Sequence, residues 1–278
     1  MTDRKVALVT GTSSGIGLHT AVGLARMGIH VVATMRDTGR AGRLRAEAAE
    51  QGVDLTIRRL DVTDRDRARA TLDEVAADFG PISILVNNAG QAVLGTLEQL
   101  DDAALQRQLD VNLLGAAALT RHVLPSMRES GAGRIVSVTS DGGVVGQPFL
   151  DAYSASKFAL EGLMQSLATV AARFGIAVSV VEPSYVATNM TENLDATALA
   201  NPDDPYRSLA EKYAQTATAG MARAQSAQEA AAVVIEAATT GTPRFRWQTS
   251  EAAVASVGLS LTDLDGGAVV KAMSTWLD

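Results

Sequence analysis

The chain has 278 residues, 47% of them apolar but only 4% aromatic, and a formal net charge of −7. That length and mix allow a sizeable core of Ala, Val, Leu and Ile, as in parallel strands covered by helices. The acidic balance argues against a nucleic-acid groove, and the lack of cysteine excludes disulfides, thiolate metal sites and cysteine nucleophiles.

In chain order, Val6 to Val9 reads as a first strand and Gly15 to Met27 as a helix. His30 to Thr34 is a second strand, followed by an Ala- and Arg-rich helix to about Gln51. Leu55 to Leu60 is a third strand and Asp64 to Phe79 a helix; Ile82 to Val86 is a fourth strand, followed by a long helical region from Glu98 to Met127. Arg134 to Val138, the helix Ala152 to Phe174 and Ile176 to Val181 complete the alternation. Such βαβ succession implies an α/β fold, a doubly wound parallel sheet (Rossmann fold) with helices on both faces. No linker divides the chain, so residues 1–278 are expected to form a single domain. The polar stretch 184–206 has weak periodicity and reads as part of a substrate lid over 184–222; 251–278 reads as a helical tail. Helical patterns at Tyr206–Met221 and Ala227–Ala238 and a possible strand at Arg244–Gln248 lie between them. The start Met1-Thr2-Asp3-Arg4-Lys5 does not read as a signal peptide. No run of about 18 apolar residues suggests a membrane span. A cytoplasmic location is expected. Arg58, Arg59, Arg65, Arg67 and Arg69 are interleaved with acids and read as a solvated helix face.

Thr10 to Gly17 reads T-G-T-S-S-G-I-G between the first strand and the first helix. Gly11, Gly15 and Gly17 permit close backbone approach, and the helix N-terminus beyond Thr12, Ser14 and Ile16 suits a pyrophosphate. The spacing is a variant of the dinucleotide fingerprint. Gly11-Thr12-Ser13-Ser14-Gly15 also fits the nucleophile elbow of serine hydrolases. The chain's His19, His30 and His122 are poorly placed to complete a triad, which favours the dinucleotide. NAD sites place an acid at the end of the second strand; here that end reads Met35-Arg36. NADP(H) is therefore expected over NAD(H), with Arg36 toward the 2′-phosphate.

Tyr153 and Lys157 are four apart on a helix and share a face. Bringing a phenol from about 10 to near neutrality takes roughly 4 kcal/mol. An ammonium about 4 Å away supplies roughly that at an effective dielectric near 20. The Lys is therefore expected to fit the Tyr for acid–base work, although a Tyr and a Lys can share an ordinary helix.

Together these residues resemble the short-chain dehydrogenase/reductase family over about residues 4 to 190. The T-G-x-x-x-G-I-G loop is followed by Asn87-Asn88-Ala89-Gly90, by Asn112 within Asp110-Val111-Asn112, and by Ser140, thirteen residues before Tyr153. The resemblance implies Asn112, Ser140, Tyr153 and Lys157 as the catalytic set. It implies Asp61 and Val62 beside the adenine, Asn88, Ala89 and Gly90 along the cofactor, and Tyr153, Lys157, Pro183 and Thr188 around the nicotinamide. Asn112 would hold a water linking Lys157 to solvent. Pro183-Ser184 departs from the family's Pro-Gly, and Ser14 stands where many NADP members carry a base. The second-strand segment and the stretch Thr242 to Trp247 resemble hydroxysteroid and retinol dehydrogenases, implying a bulky apolar alcohol or ketone. A ketoreductase of polyketide-like carbonyls and a non-catalytic NADP-binding regulator are the alternatives. A homodimer or homotetramer through the Tyr153 helix is implied. Residues 92–97, 141–150 and 184–206 are expected to shape the pocket, while Trp247 and Trp276 read as core or interface residues.

Overall fold

A computed structural model describes residues 5–188, 196 and 203–278. The strands are β1 (Val6–Thr10), β2 (His30–Met35), β3 (Thr56–Arg59), β4 (Ile82–Asn87), β5 (Gly133–Val138), β6 (Ile176–Glu182), β7 (Val186–Ala187), β8 (Gln225–Ser226) and β9 (Arg246–Gln248). Seven form one parallel sheet in the order β3-β2-β1-β4-β5-β6-β9, while β7 and β8 pair separately. All five residues of β1 are buried, as a strand covered on both faces requires.

The helices are α1 (Gly15–Arg26), α2 (Gly42–Glu50), α3 (Arg65–Phe79), α4 (Asp102–Leu109), α5 (Ala116–Ser130), α6 (Asp151–Ala171), α7 (Arg207–Met221), α8 (Ala227–Thr239), α9 (Glu251–Thr262) and α10 (Gly267–Ser274). The alternation of β1 assigns the two layers. Ala7 and Val9 pack with Leu18 of α1, Leu44 of α2 and Val234 of α8. Val6 and Leu8 pack with Leu72 of α3, Leu119 of α5 and Leu160 of α6. Successive strand residues face opposite sides, so each layer takes every second one.

The chain winds outward from β1 to β3 and then restarts on the other side at β4. That reversal opens a crevice beyond the carboxyl ends of β1 and β4, where open α/β sheets bind ligands. The long helix read over Glu98–Met127 is interrupted: Asp110–Gly115 between α4 and α5 is a π-helical turn. The apolar spacing continues through it, so the sequence pattern alone does not mark the change. Trp247 is buried in the sheet core, as expected. The lid expected at 184–222 falls partly on 189–195 and 197–202, outside the described residues. Among the described residues, no helix is long and apolar enough to cross a membrane. The Arg cluster pairs with acids on the surface: Arg58 with Asp78, Arg65 with Asp110 and Arg67 with Glu74.

Candidate active site

The loops after β1 and β4 are locked together. Thr10 Oγ1 accepts from the Asn88 and Ala89 amides, both at 2.9 Å. Asn88 Nδ2 donates to the carbonyls of Thr10 (2.9 Å) and Gly11 (3.1 Å). A Cβ on Gly17 would collide with the Asn88 amide, and one on Gly11 would stand 2.9 Å from Ala89 Cα. Gly15, at φ 60°, would bring a Cβ to 3.0 Å from Thr188 Cγ2, so Thr188 covers the same loop. Thr12 Oγ1 donates to Thr34 O at 3.1 Å, and Ile16 packs on the core below.

Some helices are capped by side chains, as Asp64 caps α3, Asp101 caps α4, and Ser226 closes a capping box on α8, while α2, α5, α6, α7 and α10 are not. Ser14 at the start of α1 makes no such bond, and the first turn of α1 holds no acid. The amides and the positive end of that helix thus suit an external anion. A glycine cradle against Asn88 and Ala89, ending on this uncapped helix, fits a dinucleotide.

Along the crevice, Asp61 Oδ1 accepts from Thr63 N (3.0 Å) and Thr63 Oγ1 (2.7 Å). Val62 is buried beneath Gly115, where a Cβ would come within 2.7 Å of it. Met35 is buried and Arg36 exposed, with the Arg36 carbonyl accepting from Arg59 Nε at 3.2 Å. Asp37 accepts from Gly39 N at 2.9 Å and caps the turn Thr38–Arg40.

Ser140 follows β5 at the same end of the sheet. It caps the short helical turn Asp141–Gly143, its Oγ accepting from Gly142 N at 3.0 Å. Tyr153 and Lys157 lie in the first turns of α6, both buried. A Cβ on Gly142 would stand 3.3 Å from both Ser140 Oγ and Tyr153 Cε1, so the serine and the phenol are neighbours. Lys157 Nζ donates to Val138 O at 2.9 Å and lies 5.7 Å from the Tyr153 ring centroid. A Cβ on Gly90 would sit 3.4 Å from Asn112 Oδ1 and 3.6 Å from Lys157 Nζ. Asn112 Oδ1 accepts from Gln91 N, and its Nδ2 donates to Gln91 O and Ser156 Oγ, all at 3.0 Å. Ser156 Oγ in turn donates to Tyr153 O at 2.7 Å. The π turn thus anchors the helix carrying the phenol. Asn87 lies deeper, its Nδ2 donating to Thr120 Oγ1 at 3.1 Å, a structural role.

The expectation that Lys157 alone brings the phenol near neutrality is corrected. Burial pushes Tyr153 up to about 12; the Ser140 bond pulls it down and the charge of Asp141 pushes it further up. Burial also lowers Lys157 to about 8, opposed by Glu161. Both groups are buried, and desolvation is the largest influence on each.

Three features had escaped the reading of the sequence. Asp141 is a buried acid touching Ser140, and its place beside that Ser is the signal that could have found it. A second cluster joins Glu161 of α6, Glu182 of β6 and Arg246 of β9. Last, Trp276 joins an aromatic wall beside Tyr153. Tyr153 packs in one apolar cluster with Leu94, Phe149 and Tyr213, and Trp276 packs against that cluster. Phe149 takes a φ of 60°, uncommon for a non-glycine residue. Its carbonyl accepts from Gly95 N at 2.8 Å, and its ring lies 5.6 Å from Tyr213.

The hydrolase alternative finds no support. His19 faces Glu47, His30 stacks on Phe79, and His122 pairs with Asp73, so none of these contacts involves Ser13. No metal-binding group of side chains occurs among the described residues.

Residues 5–199 match the short chain dehydrogenase family model. The chain belongs to the short-chain dehydrogenase/reductase family. This dehydrogenase is 36% identical to 17-beta-hydroxysteroid dehydrogenase type 1 of Homo sapiens, over 97% of this chain and 85% of that protein. It is also 36% identical to retinol dehydrogenase 8 of Bos taurus, over 96% and 88%. A short-chain dehydrogenase of Burkholderia phymatum in complex with NAD superimposes with a TM-score of 0.82 at 28% identity, covering 95% of each chain. A variant of actinorhodin polyketide ketoreductase with NADPH gives 0.76 at 31%, covering 89% of this chain and 96% of that one. The hydroxysteroid- and retinol-dehydrogenase-like placement and the Rossmann architecture expected from the sequence are thus borne out. The protein is a nicotinamide-dependent oxidoreductase of alcohols and ketones.

Proposed function

We propose that the enzyme interconverts a secondary alcohol and its ketone on a bulky, apolar, steroid- or retinoid-like substrate, using NADP(H) in preference to NAD(H). The observation that carries the reading is Ser140 beside the Tyr153 phenol, next to an aromatic wall. A nicotinamide held there would supply the hydride for the carbonyl carbon, or take it up in the reverse direction. Tyr153 gives its proton to the carbonyl oxygen, and takes it back in oxidation. Ser140 donates to that oxygen as negative charge develops there. Lys157 holds a positive charge beneath the phenol and reaches toward the cofactor's ribose. Asn112 holds the backbone of α6 in register and links Lys157 to solvent through a water. Gly11, Thr12, Ser14, Gly15, Ile16, Gly17, Asp61, Val62, Asn88, Ala89, Gly90, Pro183 and Thr188 would line the cofactor. Arg36, exposed at the end of β2 without a neighbouring unengaged acid, favours a 2′-phosphate.

The likeness to a polyketide ketoreductase favours, as a second reading, a polycyclic secondary-metabolite carbonyl. A non-catalytic regulator is disfavoured because Asn112, Ser140, Tyr153 and Lys157 are all present and assembled. Pairing of copies through α6 is supported by its exposed Phe158, Leu163 and Val170. The test follows nicotinamide absorbance with NADPH and NADH against steroid ketones, retinal, polycyclic ketones and acetone. The reading expects faster oxidation of NADPH and a higher kcat/KM for the bulky carbonyls. Preference for NADH, or for acetone, would refute the corresponding part.

A further inference from the structure

The carboxyl of Asp141 is 5% exposed and borders the reacting groups, yet the oxidoreductase mechanism assigns it no role. Ser140 Oγ lies 3.2 Å from Asp141 Oδ1 and 3.4 Å from Pro183 O, and accepts from Gly142 N at 3.0 Å. Gln147 Nε2 reaches the same Oδ1 at 3.4 Å. The titratable groups facing Asp141 are two phenols, Tyr153 from α6 and Tyr185 from the segment after β6. From α9 it meets only the hydroxyl of Ser256, and from the end of β6 that of Ser184. Among the described residues no cation forms an ion pair with it. A carboxyl so placed is costly to ionise.

The hydroxyl of Ser140 has one proton. If Asp141 is ionised, that proton points to its carboxylate and is withheld from a substrate oxygen. If Asp141 is neutral, its own O–H can donate to Ser140 Oγ. The serine then accepts from Gly142 N and from Asp141, filling both lone pairs, and its proton is released from the carboxylate, leaving the long contact to Pro183 O and the Tyr153 hydroxyl as its acceptors within the protein until a substrate oxygen arrives.

We propose that Asp141 is a positioning residue: in its neutral form it donates to Ser140 Oγ and thereby turns the serine proton toward the substrate oxygen. The inference rests on the acid–base reading of Tyr153 and Ser140. Asp141 keeps its proton throughout; hydride and the Tyr153 proton remain the only transfers to substrate. Burial raises Asp141 above the ordinary carboxylate range, while the hydroxyls of Ser184, Ser140 and Ser256 and the amide of Gly142 pull it down. The Ser184 that departs from the family's Pro-Gly therefore stabilises the ionised form. Reduction weakens as pH rises through the titration of Asp141, a loss separate from that of the Lys157 charge at about 8 and told apart from it by the Asp141 and Ser184 variants.

The test is the pH profile of kcat/KM for NADPH-dependent reduction of the best ketone in the panel, on the full chain. Asp141→Asn cannot ionise, and its amide can donate to Ser140 Oγ. It is expected to stay within about tenfold of wild type on the acid side and to move the alkaline limb up by about one pH unit or more. Ser184→Gly removes a hydroxyl that favours the ionised form and is expected to move the limb in the same direction by less. If Asp141→Asn does not fold, the Ser184→Gly profile decides. Superimposable alkaline limbs, or uniform loss at every pH in a folded Asp141→Asn that still binds NADPH, would overturn the inference while leaving the oxidoreductase reading intact. A wild type that turns over no alcohol or carbonyl would instead sink that reading, and this inference with it.

Discussion

The phenol of Tyr153 is buried, and that burial raises its pKa above the ordinary value. A phenol pushed up to about 12 by burial stays protonated at neutral pH, so the form that can donate to a developing alkoxide is the one present, and the form that could take a proton is scarce. Tyr153→Phe keeps the ring in its apolar cluster and deletes only the hydroxyl. Turnover should fall by about two orders of magnitude or more, while NADPH affinity, read by fluorescence titration, changes little. Retention of near-wild-type turnover would remove Tyr153 from the proton path. Cofactor choice is also decided by single side chains. Met35 occupies the position where an acid would bind ribose hydroxyls, but it is 2% exposed. An Asp there would be buried without a partner and would report on folding instead of on preference. Arg36 is exposed, so Arg36→Asp is the cleaner change. It should lower the NADPH-to-NADH ratio of kcat/KM by about tenfold or more, corresponding to ~1.4 kcal/mol; an unchanged ratio would show that Arg36 does not face the 2′-phosphate.

Three elements meet at the cluster of Glu161, Glu182 and Arg246, which fastens the short edge strand β9 to β6 and α6. Arg246 Nη1 lies 2.8 Å from Glu161 Oε2 and also pairs with Glu182, whose other oxygen accepts from Gln248 Nε2. One cation thus faces two buried carboxylates. Thr139 Oγ1 stands 2.6 Å from Glu161 Oε1 and 3.0 Å from Val181 O. The hydroxyl has one proton, so a proton on Glu161 lets both contacts be hydrogen bonds. Burial and Glu182 push Glu161 from 4.5 up to about 7, against the pull of Thr139 and Arg246. The folded state therefore binds this proton more tightly than the unfolded chain. Its contribution to stability is complete below pH 4.5 and lost as pH rises to about 7. Glu161→Gln cannot titrate. Its melting temperature relative to wild type should rise between pH 5 and pH 7.5 by roughly several degrees; a constant difference would contradict the assignment. The cluster also shows where sequence stops being informative. Strands β1 to β6 and the helices between them announce themselves through local apolar runs and spacing. The contacts of Arg246 join residues 64 and 85 apart in sequence, so nothing near Arg246 signals them. The π turn at Asp110–Gly115 was missed for a related reason: α and π turns share the same local pattern, and the difference lies in how Asn112 is held.

At the scale of the whole molecule, the motif-bearing half was legible because its motifs lie at strand ends fixed by the winding of the sheet. The aromatic wall was not, because it is assembled from distant segments. Tyr185 follows β6, Tyr213 lies in α7, and Trp276 lies in the last turn of the chain. Trp276 stacks 6.4 Å from Tyr185 and 6.3 Å from Tyr213 by ring centroids, and Thr216 Oγ1 donates to its carbonyl at 3.3 Å. Tyr213 in turn packs on Phe149 and belongs to the cluster containing Tyr153. The tail therefore braces the aromatic surface next to the reacting phenol, so it should govern which substrates fit and not how fast hydride moves. Deleting one aromatic side chain from such a surface forfeits apolar contact with a large ligand, worth about 1–3 kcal/mol, and forfeits little with a small one. Trp276→Ala should accordingly lower kcat/KM for the bulkiest active ketone about tenfold or more, chiefly through KM, while changing the value for a small ketone much less. Equal losses on both substrates would mean that the tail supports the fold of the site without shaping its specificity.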